Sequence, residues 1–441
     1  MMRNHSHLAA ATVLGILFVP YVMEQLPIGA GGLRAPVQIG AILLAAYVTL
    51  SYWLLSGFRL RLHPAVLICF LIFALSIVPY LFVSLRSIHE AYLGCLLQYT
   101  AYPLIVAVFL PSVISGRRII RLCCLILTVQ GALTGVFVAL NIAQGRLPLL
   151  HPVSLSAVTD ADSLILGALG FVTLTVMQPR EERKGRKQRL KRVGWIASAV
   201  VLALLAASTF SRATVGGFLV ALLTLLVLRR RGRRFTANAT RGIVFACAAV
   251  PLLVCINVLT PETLGKVGSL IVQKRATEAI YGSTLLRRGE VWQAFVSRIS
   301  WTDVVGTRPA LHEYDYYHDL GVKRTVETPH NYWISLLLTA GYGGVLAVLA
   351  LWDYVARLVR RSRDPVAKWV LPWLVFLSVQ GVTGRGAFIG LMTLTFWCFV
   401  AAALATARGF TVALGRSPTR QPRALAPAPA GAAPAAAPGT H

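Results

Sequence analysis

Apolar and polar stretches alternate along this chain in blocks far longer than a soluble fold uses. Twelve apolar runs are long enough to cross a hydrocarbon layer of about 30 Å as helices. They fall at 9–27, 36–55, 65–84, 92–114, 119–142, 161–178, 194–210, 211–228, 242–260, 329–352, 369–384 and 388–407. The first follows Met1-Met2-Arg3-Asn4-His5-Ser6-His7 and reads as a retained span, because no soluble domain comes after it. Residues 194–228 must make two spans that turn at Ser211-Arg212. The alternation stops at 261–328, a polar segment rich in Tyr, His and Trp. Loops of that length at a membrane face usually carry function. The Ala- and Pro-rich end, 417–441, has the composition of a disordered tail. The pattern predicts an all-α polytopic membrane protein of about 12 transmembrane helices. Its parts are 1–260 with helices one to nine, the large loop 261–328, 329–416 with helices ten to twelve, and the tail 417–441.

Composition agrees: 56% hydrophobic and 13% charged residues, with mean hydropathy +0.67, exclude a soluble domain. The net charge of +27 suggests nucleic acid at first sight. In a polytopic chain it reflects cytoplasmic loops facing anionic lipid. With the N-terminus inside, the inner segments are 1–8, 56–64, 115–118 with Arg121, 179–193, 229–241, 353–368 and the tail. They hold 29 of the 43 Lys and Arg residues, against 14 outside, of which 9 lie in the exempt long loop. Arg34, Arg86, Arg146, Arg212 and Arg385 are the other five. Both termini are therefore expected in the cytoplasm, and 261–328 on the outer face. The basic run Arg183 to Arg192 becomes a topology anchor. The seven cysteines (69, 95, 123, 124, 247, 255, 398) lie in apolar runs without metal-ligand spacing, which predicts buried thiols, no disulfide and no zinc.

The candidate chemistry lies on the outer side. In Glu327-Thr328-Pro329-His330-Asn331-Tyr332-Trp333, Thr328 suits an N-cap and Pro329 a first turn. His330 would then sit at the positive end of the helix dipole, which disfavours imidazolium and leaves a proton acceptor. Ile334, Leu337, Gly341 and Gly344 share its face, and the glycines admit a neighbouring helix. The plainer alternative is an interfacial histidine ending a span. Within the loop, 283–300 has helical periodicity, with Leu285, Arg288, Val291, Trp292, Phe295 and Ile299 on one face and Arg287 at its edge. Arg288 on an apolar face needs a partner, or snorkels to headgroups. Arg212, in Ser208-Thr209-Phe210-Ser211-Arg212-Ala213-Thr214, is charged near membrane depth on the side where basic residues are scarce. Two such guanidinium groups suit a lipid-linked phosphate. Asp160 and Asp162 resemble a metal pair, but at the start of a span they fit a helix N-terminus better. His312, Glu313, Asp315, His318 and Asp319 read as a solvated face. No phosphate-binding glycine loop, zinc signature or nucleophile elbow is present.

Three pieces together resemble one family: Ser-Arg between paired spans, Arg-x-x-x-Trp in a large outward loop, and His-Asn opening the next span with glycines eleven to fourteen residues on. They cover roughly 205–350. The set is similar to the O-antigen ligase and O-antigen polymerase superfamily of bacterial membrane glycosyltransferases. That resemblance implies a GT-C-like fold in the inner membrane with its active site facing the periplasm. It also implies metal-independent, inverting transfer without a cofactor from an undecaprenyl-type pyrophosphate glycan. The acceptor would be a glycolipid, the lipid A-core of lipopolysaccharide for a ligase. A polymerase, joining lipid-linked repeat units, is the alternative. A transporter fits less well, because the ionisable residues cluster at the outer face and not at the midplane. Arg212 and Arg288 match the family's pyrophosphate-binding positions and His330 its catalytic one, with Asn331, Ser211 and Arg287 in support. Gly306-Thr307-Arg308 departs from the Gly-x-Gly that relatives often carry before the histidine, which touches the acceptor side.

Overall fold

In a membrane an apolar run must satisfy its own backbone N–H and C=O groups, so it winds into a helix. The computed structural model describes residues 2–23, 34–56, 59–68, 71, 74–75, 101–146, 148, 152–153, 157–178, 186–209, 211–230, 300, 302–305, 331–361, 367–383, 391–406 and 410–413. Its helices are α1 (Met2–Met23), α2 (Arg34–Ser56), α3 (π-helical over Pro103–Phe109, α-helical over Leu110–Val113), α4 (Gly116–Ala143) and α5 (Ala157–Met177). The series continues with α6 (Arg186–Ser208), α7 (Arg212–Arg230), α8 (Tyr332–Arg361), α9 (Ala367–Thr383) and α10 (Leu391–Leu404). Among the described residues, six helices are long and apolar enough to cross a membrane, and four apolar helices are shorter. The protein is a multi-pass membrane protein. The run at 242–260 and most of 65–84 lie outside the described residues, as does the tail 417–441. The pair at 194–228 does form two helices, although the first begins early, inside the basic run, at Arg186.

The described residues are helical as expected, with one short two-stranded ribbon beside the helices. Arg59–Leu62 (β1) pairs antiparallel with Phe410–Ala413 (β2), Arg59 opposite Ala413 and Leu62 opposite Phe410. The alternation Arg-Leu-Arg-Leu is a strand pattern too short to stand out beside long apolar runs. The ribbon joins two segments assigned to the same side by charge. Arg117 does likewise, donating from its guanidinium to the carbonyl of Met177 at 3.1 Å. These ties gather the segments at one end of the bundle.

α5 is the most enclosed of the six long spans, packed between α4 and α6. Glycine makes this possible. A Cβ on Gly131 would lie 2.7 Å from the Cα of Gly167, and one on Gly170 would lie 3.0 Å from the carbonyl oxygen of Cys124. Backbones at that distance gain close van der Waals packing where lipid offers no hydrophobic drive. α9 is tied in by Trp373, whose indole N–H donates to the Thr173 hydroxyl at 3.0 Å while its ring stacks on Phe399 with centroids 4.3 Å apart. Cys123, Cys124 and Cys398 are buried free thiols; the other four cysteines lie outside the described residues.

Candidate active site

The turn between α6 and α7 is built from hydroxyl side chains. At the end of α6, Ser208 Oγ donates to the Leu205 carbonyl at 2.6 Å and Thr209 Oγ1 to that of Ala206 at 2.7 Å. Ser211 then caps α7, its carbonyl accepting the Val215 N–H at 3.1 Å. Thr214 donates its hydroxyl proton to Asp162 Oδ1 on α5 at 2.7 Å. A hydroxyl has one proton to give, so in the 2.8 Å contact between Ser211 Oγ and Thr214 Oγ1 the serine is the donor. The chain Ser211 to Thr214 to Asp162 bolts the start of α7 to α5, and Arg212 is the first helical residue above it. Thr214 is fully buried. The neighbouring Asp160, also fully buried, accepts the Val153 N–H at 2.8 Å and so fastens the loop before α5.

α9 lies against this turn. Its Phe376 fills the space at Gly217, where a Cβ would lie 3.2 Å from the ring. Trp373 meets Thr173, eleven residues beyond Asp162, whereas Phe376 meets Gly217, three residues beyond Thr214. α9 therefore runs opposite to α5 and α7. One turn further, Gln380 reaches the level of the Ser211–Thr214 turn, 3% exposed and with its Nε2 donor unpartnered. Sequence reasoning missed Gln380 and Thr214. For Thr214 no local signal was present, since a capping box has Glu or Gln, not Thr, three residues after the capping serine.

The second opening is that of α8. Asn331 caps it, its Oδ1 accepting the N–H of Trp333 at 2.9 Å and that of Ile334 at 3.3 Å. The helix thus starts at Tyr332, not after a Thr328 cap. Asn and Thr are both good caps, and here the asparagine side chain reaches the free amides. His330 precedes this cap in sequence. α8 then breaks at Gly341 (φ 64°, ψ −168°). The amides freed there are taken by residues from within the large loop: Tyr342 N–H donates to the Asp303 carbonyl at 3.1 Å and Gly343 N–H to that of Val304 at 3.0 Å. At Gly341 the space is taken by Asp303, Val304 and Val305, a strap of the large loop, and at Gly343 by Val304 and by Leu75 of another helical segment. The strap is held in its own turn by Asp303, whose Oδ2 accepts the Ser300 N–H at 2.9 Å.

His330, Arg287, Arg288, Gly306-Thr307-Arg308 and the carboxylate and histidine cluster at 312–319 lie outside the described residues. Of the expected site, the structure places Ser211, Arg212 and Asn331, each at the opening of a helix, and α9 is the element packed against both α7 and α8. Among the described residues, no three His, Cys, Asp or Glu side chains gather as metal ligands.

Comparison with curated proteins and with solved structures gives no match. A family model, O-antigen ligase, matches residues 197–349. The matched stretch runs from α6 across the Ser211-Arg212 turn and the large loop to beyond the Gly341 break. Over that stretch the chain is similar to the O-antigen ligase and polymerase superfamily, whose members are glycosyltransferase-like enzymes.

Proposed function

We propose that this protein is an O-antigen ligase, transferring a glycan from a polyprenyl-pyrophosphate donor to a hydroxyl of lipid A-core on the periplasmic face of the inner membrane. The observation that carries the reading is the family match over 197–349, which spans every residue the chemistry uses. Arg212 and Arg288 hold the pyrophosphate. Arg212 stands at the first position of α7, so an anion there also meets the free N–H groups and positive dipole of a helix start. His330 takes the acceptor proton as its oxygen attacks the anomeric carbon. The bond from that carbon to the phosphate oxygen breaks, the electron pair leaves with the lipid pyrophosphate, and a single displacement inverts the centre. Charge grows on the leaving group in the transition state, where preorganised cations act most strongly. The basic inner segments and the tied ends of the bundle support a cytoplasmic side opposite the site. The twelve-helix GT-C-like layout belongs to the same reading.

A strain lacking the gene tests it. A ligase leaves free lipid A-core and accumulates lipid-linked polymer, whereas a polymerase leaves single repeat units on the lipid, and a transporter neither. Purified protein should transfer at full rate in EDTA. Loss of activity restored by Mg²⁺ or Mn²⁺ would contradict the metal-independent scheme.

A further inference from the structure

Asp162 carries a carboxylate on a span that sequence reasoning explained by its helix start alone. Asp160 fits that explanation, since it lies in the first turn of α5. Asp162 reaches a different helix instead. Its Oδ1 holds the Thr214 hydroxyl at 2.7 Å, and that hydroxyl is held in turn by Ser211 at 2.8 Å. Ser211 and Thr214 flank Arg212 in sequence, so both sides of the arginine's backbone are fixed by one chain of hydrogen bonds ending on a carboxylate.

We propose that Asp162 is a positioning residue for donor binding: through Thr214 and Ser211 it holds the first turn of α7 in the orientation from which Arg212 engages the pyrophosphate. This rests on the reading of Arg212 given above. The oxygen of Asp162 is what matters, because Thr214 needs an acceptor. The charge matters less. A merely structural bond would stabilise the bundle without regard to which substrate is bound. A positioning bond acts on the donor and acts through Arg212.

The test measures binding of farnesyl pyrophosphate, a short prenyl chain bearing the pyrophosphate, to purified variants in nanodiscs, with melting temperature recorded alongside. Asp162→Ala and Thr214→Val should each weaken binding about tenfold, the loss expected for one buried hydrogen bond. The double variant should be no worse than either alone, because both remove the same bond. Asp162→Asn and Thr214→Ser, which keep the bond, should recover most of the affinity. In an Arg212→Ala background, Asp162→Ala should have no further effect on binding. The inference is overturned if Asp162→Ala lowers the melting temperature but leaves binding unchanged. It is equally overturned if its effect on binding persists undiminished without Arg212. If Arg212→Ala itself binds farnesyl pyrophosphate normally, the assignment of the arginine fails as well, and the inference falls with it.

Discussion

Replacing Gly341 with alanine should release the loop strap from α8. The backbone at Gly341 has φ 64° and ψ −168°, a region that side chains other than hydrogen occupy at a cost of roughly 1–3 kcal/mol. A Cβ there would also lie 2.6 Å from the carbonyl oxygens of both Asp303 and Val304. Contact with backbone oxygens cannot be relieved by a rotamer change, so either the break in the helix or the strap must move. The strap is tied by two amide hydrogen bonds, from Tyr342 and Gly343. Each is worth about 1 kcal/mol net. Strain and clash together exceed that hold, so the strap leaves. Amide exchange at Tyr342 and Gly343, followed by mass spectrometry in nanodiscs, should then quicken about 30-fold, the equivalent of about 2 kcal/mol. Transfer should fall by about 10–100-fold, because the strap directly follows the segment 283–300 that carries Arg288, and small misplacements of a binding group cost that much. Gly194→Ala is the control: nothing lies within 4 Å of a Cβ at that site, and both readouts should be unchanged. If Gly341→Ala keeps both amides protected and turns over normally, the strap does not depend on the glycine and the reasoning fails.

Two further predictions concern topology and the second arginine. In a cysteine-free background, a cysteine at Glu313 should react with an impermeant thiol reagent in cells whose outer membrane is permeable, and one at Gln188 should not; the reverse pattern would move every site residue to the cytoplasm. Arg288→Lys should bind donor nearly as poorly as Arg288→Ala, because a lysine keeps the charge but loses the planar fork that grips two phosphate oxygens. Arg287→Ala should be milder, and an essential Arg287 beside a dispensable Arg288 would mean the helical phase of 283–300 is wrong.

What was legible in the sequence was what a single segment decides. A long apolar run fixes its own helix, and eleven of the twelve runs contain described helical residues. The Ser211-Arg212 turn was legible because polar residues interrupt a run too long for one span. Partners across helices were not. Asp162 and Thr214 stand 52 residues apart, and nothing local to Asp162 distinguishes it from Asp160. The start of α8 was misplaced by three residues because Thr328 and Asn331 are both competent caps. Gly341 was taken for a helix-contact glycine because its unusual backbone exists only to receive Asp303 and Val304. The β1–β2 ribbon failed to register for the opposite reason, each strand being four residues long and meaningful only when paired.

The central claim is that His330 removes the acceptor proton while the arginines hold the donor. Transfer and farnesyl pyrophosphate binding, measured on the same purified His330→Gln protein, test it most directly. Glutamine can still accept a hydrogen bond from the acceptor hydroxyl but cannot carry its proton away. Binding should persist, and transfer should fall by about 10²–10⁴, the usual loss on removing a general base. Near-normal turnover of His330→Gln would contradict the claim and make His330 a positioning residue.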